Sequence, residues 1–352
     1  MEFGIQFFPS VGPETKSAEQ YWREALHLTR LAESLGFTSV RTVEHYFHPY
    51  GGYSPSPLVF LSAAAMATKT MRLITGAVLP VFNNPLKIAG EIGMVDAISG
   101  GRLEVGFARA FLPHEFGRFG VSMDESRARF DEGLEQVRLL LEAENVSSEG
   151  RFHSFKDITS LPRPTQKPRP PFWIASISTP ESFEMCGRNG HYMMAIPLAS
   201  EATAKLARLY RDSWKAAGHA GSGKVMLAFN MFCAPTQAEA VAKAKKDHEH
   251  YLNAIADGAA EWGKGAFSHD YPNYQKMYAA LSSENYDTTV AKGTAWMGSP
   301  DEISATIEKY NRDCGGFDIA SLQINFGNLK LEDAEASMRL FAKEVMPRFA
   351  NA

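Results

Sequence analysis

"MRLITGAVLPVFNNPLKIAGEIGMVDAISGGRLEVGFARA", residues 71–110, reads as strand, helix, strand. Residues 71–80 are an apolar run of strand length. Residues 84–99 carry a helical pattern opened by Pro85, which tolerates the first turn because its missing N–H is unused there. Residues 101–110 return to a strand pattern. Two strands joined by a helix run parallel, since a parallel return needs a crossover of about a dozen residues or more, whereas a hairpin joins antiparallel strands directly.

The same unit recurs outward in both directions. Residues 3–8 read as a buried strand, and 18–37 as a helix with Leu28, Leu31 and Leu35 at helical spacing and Gly36 as its stop. Residues 39–47 read as a strand and 56–70 as a helix. Beyond the amphipathic helix 124–143, prolines at 162, 164, 168, 170 and 171 exclude regular structure, so 144–171 is an irregular excursion with room for a small hairpin. Strands at 172–178, 191–199, 224–235 and 319–327 alternate with further helices. Residues 263–292 lack a clean period, are rich in Tyr, Gly and Ser, and read as a long loop or mobile lid. About eight strands, each followed by a helix, predict one (β/α)8 barrel domain over 1–352, with insertions after strand four and before the last strand–helix unit. A doubly wound open sheet is the alternative, because periodicity does not distinguish closure from an edge.

Composition narrows the function classes. The 352 residues are 45% hydrophobic and 22% charged, enough to bury a large core. A formal net charge of -4 with no basic run offers no footprint for nucleic acid. Three distant cysteines without Cys-x-x-Cys spacing suggest neither a disulfide framework nor a zinc cage and fit a reducing cytosol. The start "MEFGIQFFPS" lacks a leader pattern, and no apolar run reaches membrane-spanning length, so a soluble, cytoplasmic protein acting on small molecules is expected.

Barrel enzymes carry their chemistry at the C-terminal ends of the strands, which sorts the candidates. "VRTVEHYFHPY" (40–50) puts Glu44, His45 and His48 at the end of strand two. A metal needs three or four convergent ligands, and no second cluster completes this set, so no metal is expected. His45 is the candidate general base, against the plain alternative of a satisfied buried histidine. "GHAGSGKV" (218–225) mimics a phosphate loop but ends in Val225 and runs from helix into strand, the reverse of the required order. "HEH" (248–250) lies mid-helix and reads as a solvated turn. "ASISTPES" (175–182) ends a strand in small hydroxylated residues and starts a helix, which suits a phosphate; an ordinary Thr179 N-cap is the competing reading. Arg109, at the end of strand four, adds a guanidinium at the same rim, and would otherwise need a carboxylate such as Glu115.

In the order of these landmarks, "VEHYF", the block from Gly76 to Arg109, "PFWIASISTPES", "MGSPDEI" and "FAKEVMP", the sequence resembles the bacterial luciferase-like flavin monooxygenases over nearly its whole length. The resemblance implies a barrel that binds reduced FMN (FMNH2) supplied by a separate flavin reductase, reacts it with O2 to a C4a-peroxyflavin, and passes one oxygen atom to a small organic substrate. It implies that Arg109, Ser178, Thr179 and Ser182 hold the flavin phosphate with the backbone near Phe111. Glu115 matches an acid near the flavin. Thr75 and Gly76 match a strand end where the family often has a non-proline cis peptide beneath the flavin ring. His45 matches the luciferase histidine, with Glu44 expected to orient it. A homodimer through helices near the first strands is also implied. The position of the luciferase reactive cysteine is Ala108 here, and the glycine that follows is Ala110, so light emission is not expected. Coenzyme F420 chemistry on the same fold and a non-catalytic flavin-binding subunit are the alternatives.

Overall fold

Eight parallel strands close on one another in the computed structural model, which describes residues 1–350. The first half runs β1 (Glu2–Phe7), α1 (Ala18–Ser34), β2 (Ser39–Thr42), α2 (Pro57–Ala67), β3 (Arg72–Thr75), α3 (Pro85–Ser99), β4 (Leu103–Phe107), α4 (Pro113–Phe119) and α5 (Ser126–Glu142). A two-stranded excursion, β5 (Val146–Glu149) and β6 (Ser154–Ile158), precedes β7 (Phe172–Ser176), α6 (Pro180–Arg188), β8 (Tyr192–Ala195), α7 (Ser200–Ala216) and β9 (Val225–Cys233). Then follow α8 (Gln237–Gly258), α9 (Ala260–Gly263), α10 (Tyr274–Ser282), α11 (Tyr286–Ala291), β10 (Ala295–Gly298), α12 (Pro300–Asp313), β11 (Ile319–Gln323) and α13 (Leu331–Glu344).

The ring order is β1, β2, β3, β4, β7, β8, β9, β11 and back to β1. Pairing of β8 with β9, from Met193↔Val225 to Ala195↔Leu227, closes the ring, so the open-sheet alternative does not hold. Closure leaves none of these eight strands with an unpaired edge. Short strands suffice because each is buried on both faces, by the barrel interior and by the helices outside. Ile74, Trp173, Met194, Met226 and Ile319 form a separate buried cluster, a plug contributed by five strands. β10 is an additional strand beside the C-terminal half of β9, from Ala295↔Asn230 to Gly298↔Cys233. Four residues, "AWMG", are too few to show a period in sequence.

Helix starts follow their local chemistry. Ser17 accepts from the Gln20 N–H at α1, Asn84 from the Leu86 N–H at α3, and Ser299 with Glu302 forms a reciprocal capping box at α12. The excursion packs back on the barrel wall: a Cβ on Gly93 of α3 would stand 2.1 Å from the Pro162 carbonyl oxygen. Residues 263–292 are not one irregular loop, since they contain α10 and α11, the latter opened by an Asn285–Thr288 capping box. Among the described residues no helix is long and apolar enough to cross a membrane.

Candidate active site

Above the plug the barrel opens into a cavity of ≈ 570 Å³ at the C-terminal ends of the strands. Period-2 alternation supplies its walls: Gln6 and Phe8 along β1, Arg41, Val43 and His45 along β2 and its continuation. The roof comes from α8 and α10, with Tyr251, Tyr274 and Met277 facing in.

His45 is held from three sides. Its Nδ1 lies 3.0 Å from Glu115 Oε1, and the same oxygen accepts the Tyr46 N–H at 2.8 Å. An oxygen accepting that N–H takes the imidazole proton on Nδ1 as well, which leaves Nε2 as the basic nitrogen on a ring that lines the cavity. Glu115 is fully buried, and its second oxygen has no partner. The Phe8 ring packs against His45 at 5.4 Å between centroids. Gly51 closes the third side: at φ 80° it occupies the left-handed region, and a Cβ there would stand 2.5 Å from His45 Cβ.

Glu44 does not orient His45, contrary to the expectation from sequence. Its carboxylate turns the other way and accepts from the Tyr46 hydroxyl at 2.5 Å, Asn83 Nδ2 at 2.8 Å and the Leu79 N–H at 3.2 Å. Neighbours in an extended chain face opposite sides, so His45 and Glu44 serve different partners. Burial outweighs those three donors and pushes the Glu44 carboxyl up to about 8. His48 stays out of the histidine–carboxylate pair; its Nδ1 accepts the Tyr50 N–H at 3.1 Å.

On the same cavity, Arg109 donates to the Asp270 carbonyl at 3.3 Å and stacks over Tyr271 at 4.8 Å. Among the described residues no carboxylate forms an ion pair with it: Glu115 is engaged by His45, the Asp270 carboxylate by Ser126 and the Arg127 N–H, and Asp131, which lines the same cavity, attracts it without forming one. Thr179 stands at the N-cap of α6 without using its side chain as a cap, and Ser178, Thr179 and Ser182 line the same cavity. Arginine, free hydroxyls and a helix N-terminus therefore converge, a donor set that fits a phosphate. The Gly76–Ala77 peptide bond is cis and lines the cavity. Thr75 does not reach the cavity: its hydroxyl donates to the Gly106 carbonyl at 2.9 Å and accepts the Gly106 N–H at 2.7 Å, which fixes β3 against β4. Phe111 lines the mouth, and its carbonyl accepts from Trp262 Nε1 at 2.9 Å.

The family model for luciferase-like monooxygenases matches residues 1–315. The chain belongs to the luciferase-like monooxygenase family. It is thereby an enzyme of the flavin-dependent monooxygenase class. This monooxygenase is similar to the oxygenase component of the flavin-dependent trigonelline monooxygenase of Acinetobacter baylyi, at 27% identity over 96% of this chain and 93% of that one. The crystal structure of monooxygenase RslO1 from Streptomyces bottropensis superposes with a TM-score of 0.89 at 44% identity, covering 99% and 100% of the two chains. The FMN-bound oxygenating constituent of 3,6-diketocamphane monooxygenase from Pseudomonas putida shares the fold, with a TM-score of 0.83 at 21% identity over 99% and 98%.

Several cavity residues of this monooxygenase escaped the sequence reading. His248 is fully buried and lines the cavity with Tyr251 one turn later, so "HEHY" is no solvated turn. The i, i+3 spacing of His248 and Tyr251 was the available signal. Arg41, a charge inside the buried run "SVRTV", was another. Among the described residues no group of His, Cys, Asp and Glu converges as a metal site.

Proposed function

We propose that the protein is the oxygenase component of a two-component system: a separate reductase supplies FMNH2, a C4a-peroxyflavin forms, and one atom of O2 enters a small organic substrate while the other leaves as water. The reading is supported above all by one cavity lined both by His45, paired with Glu115, and by the phosphate donors of Arg109 and α6. Bound there, the flavin supplies the electrons and the oxygen-carrying carbon. This chain's residues do the rest. Arg109, Ser178, Thr179 and Ser182 anchor the phosphate, the Gly76–Ala77 segment supports the ring, and His45 Nε2 takes the proton that substrate or peroxide releases. Glu115 holds the proton on Nδ1 and so keeps Nε2 aimed as the acceptor. α10 covers the cavity and limits water, which would otherwise discharge a labile peroxide.

Three buried free cysteines accord with a reducing cytoplasm. Apolar side chains exposed on α2 (Val59, Met66) and α3 (Met94) support a homodimer through those helices, an assignment that a one-chain mass by light scattering would exclude. Rapid mixing of the FMNH2 complex with oxygen tests the main reading. A long-lived oxygenated flavin supports it. Reoxidation as fast as that of free FMNH2 refutes it, and reduction of F420 by a candidate substrate would assign the cavity to hydride transfer instead.

A further inference from the structure

A second arginine lies deep in the cavity, away from the phosphate donors. Arg41 of β2 is 8% exposed and lines the cavity directly above the plug, with Nη1 3.5 Å from Met194 Sδ. Nη2 donates to the Gln6 side-chain oxygen, and Nε, buried, has no partner. Among the described residues no carboxylate forms an ion pair with it. Burial lowers its pKa to about 10, so it remains a cation at neutral pH. The backbone makes room for it: a Cβ on Gly76 would stand 2.5 Å from the Arg41 stem.

A buried cation without a counter-ion is costly, because desolvation is not repaid by an opposite charge. Such a group is retained at a site where a ligand brings the charge. Its surroundings define the ligand further. Phe8 and Tyr50 pack at 4.3 Å between centroids and Tyr251 closes the same wall, giving flat aromatic faces beside the guanidinium. The Arg41 fork is built for two parallel bonds to an oxyanion.

We propose that Arg41 binds the negatively charged oxygen of the substrate, making this oxygenase selective for flat, unsaturated organic acids that present a carboxylate or an ionised phenol at the base of the cavity. The proposal rests on the cavity being a substrate site, as in the function proposed above, but not on oxygen chemistry. The other source of such a charge is the reduced flavin ring, which the experiment separates.

The test is calorimetric titration of the FMN-loaded protein with benzoate and with neutral benzamide, for wild type, R41M and R41K. Benzoate is expected to bind wild type and to weaken by about tenfold to a hundredfold in R41M, the loss of one charge-assisted pair, with benzamide unchanged and R41K in between. Melting temperature separates a structural role: R41M melts at or above the wild-type temperature if the cation serves a ligand, and well below it if the cation holds the fold. Equal benzoate affinity in wild type and R41M, or none in wild type, overturns the proposal. So does weakened binding of FMNH2 by R41M with benzoate unaffected, which would give Arg41 to the flavin. Because the titration uses oxidised FMN, its result stands even if the chain forms no oxygenated flavin.

Discussion

His45 Nδ1 and Glu115 Oε1 stand 3.0 Å apart although 70 positions separate them in the chain. The pair joins the end of β2 to α4, so the folded barrel assembles it. Histidine without that carboxylate would lose its fixed tautomer and aim. His45→Ala is expected to lower coupled product formation by about a hundredfold to a thousandfold while FMN affinity stays within a few fold. Glu115→Gln, which keeps an acceptor oxygen but not the charge, is expected to fall between His45→Ala and wild type. Steady-state product formation against flavin oxidation measures both, and undiminished coupling in His45→Ala would remove the histidine from the reaction.

Gly51 buttresses the histidine at a distance that permits no side chain. With φ at 80° and His45 Cβ 2.5 Å from a built Cβ, Gly51→Ala combines a left-handed backbone cost with a clash. The expected loss is about 1–3 kcal/mol of stability together with reduced coupling, because the ring must shift. Denaturant unfolding and product assays on one preparation check it; a variant as stable and as coupled as wild type would contradict the packing described.

Glu44 gives the pH dependence a defined sign. Its carboxyl is raised by burial from 4.5 to about 8, so between those values the folded protein holds a proton that the unfolded chain has lost. Stability from this group is complete below about 4.5 and is lost as pH rises through about 8, at up to ~1.4 kcal/mol per pH unit. Glu44→Gln abolishes the titration. The difference in melting temperature between Glu44→Gln and wild type should therefore grow with pH across that window and level off above it. A difference independent of pH would show that Glu44 is ionised throughout.

The barrel was legible in sequence because its strands are apolar runs and its helices carry stripes and caps, signals that survive without tertiary context. Closure was not, since it depends on β8 meeting β9, a pairing between segments that look alike in open and closed sheets. His45, Arg109 and the hydroxyls of 178–182 line one cavity, as the rule that strand ends point to one rim leads one to expect. Their partners were another matter. Glu44 stood next to His45 in the chain and seemed its natural orienting group, yet the orienting acid is Glu115 on α4, a seven-residue helix the sequence did not reveal. The helices of the segment read as a lid were missed for a related reason: short helices that span a cavity bury too little apolar surface to show a clear stripe, and α10 has no buried residue.

Arg109 can be separated from the rest of the flavin site by ligand choice. If its guanidinium meets the phosphate, Arg109→Met should weaken FMN by about tenfold to a hundredfold and leave riboflavin, which has no phosphate, nearly unchanged. Fluorescence titration with both flavins provides the comparison. Equal weakening of the two would mean that Arg109 holds the lid through Asp270 and Tyr271 and does not read the phosphate.

Those lid contacts set the last expectation. Residues 268–271 are tied down: Ser268 donates to Asp124 at 2.6 Å, the Asp270 carboxylate accepts the Arg127 N–H at 2.8 Å, and the Tyr271 hydroxyl donates to the Ala110 carbonyl at 2.9 Å. Past that anchor, α10 lays Tyr274, Met277 and Leu281 over the cavity with every one of its residues at least partly exposed. A segment with so little buried surface opens at low free energy, and a ligand filling the cavity beneath supplies the missing contacts. Amide exchange should therefore be fast in α10 in the free protein and slow on FMN binding, while 268–271 is protected in both states. Tyr271→Phe removes one tether and should raise exchange in α10 without FMN more than with it. Exchange in α10 that is slow from the outset and indifferent to flavin would make this segment a fixed wall, and the route into the cavity would then lie elsewhere on the rim.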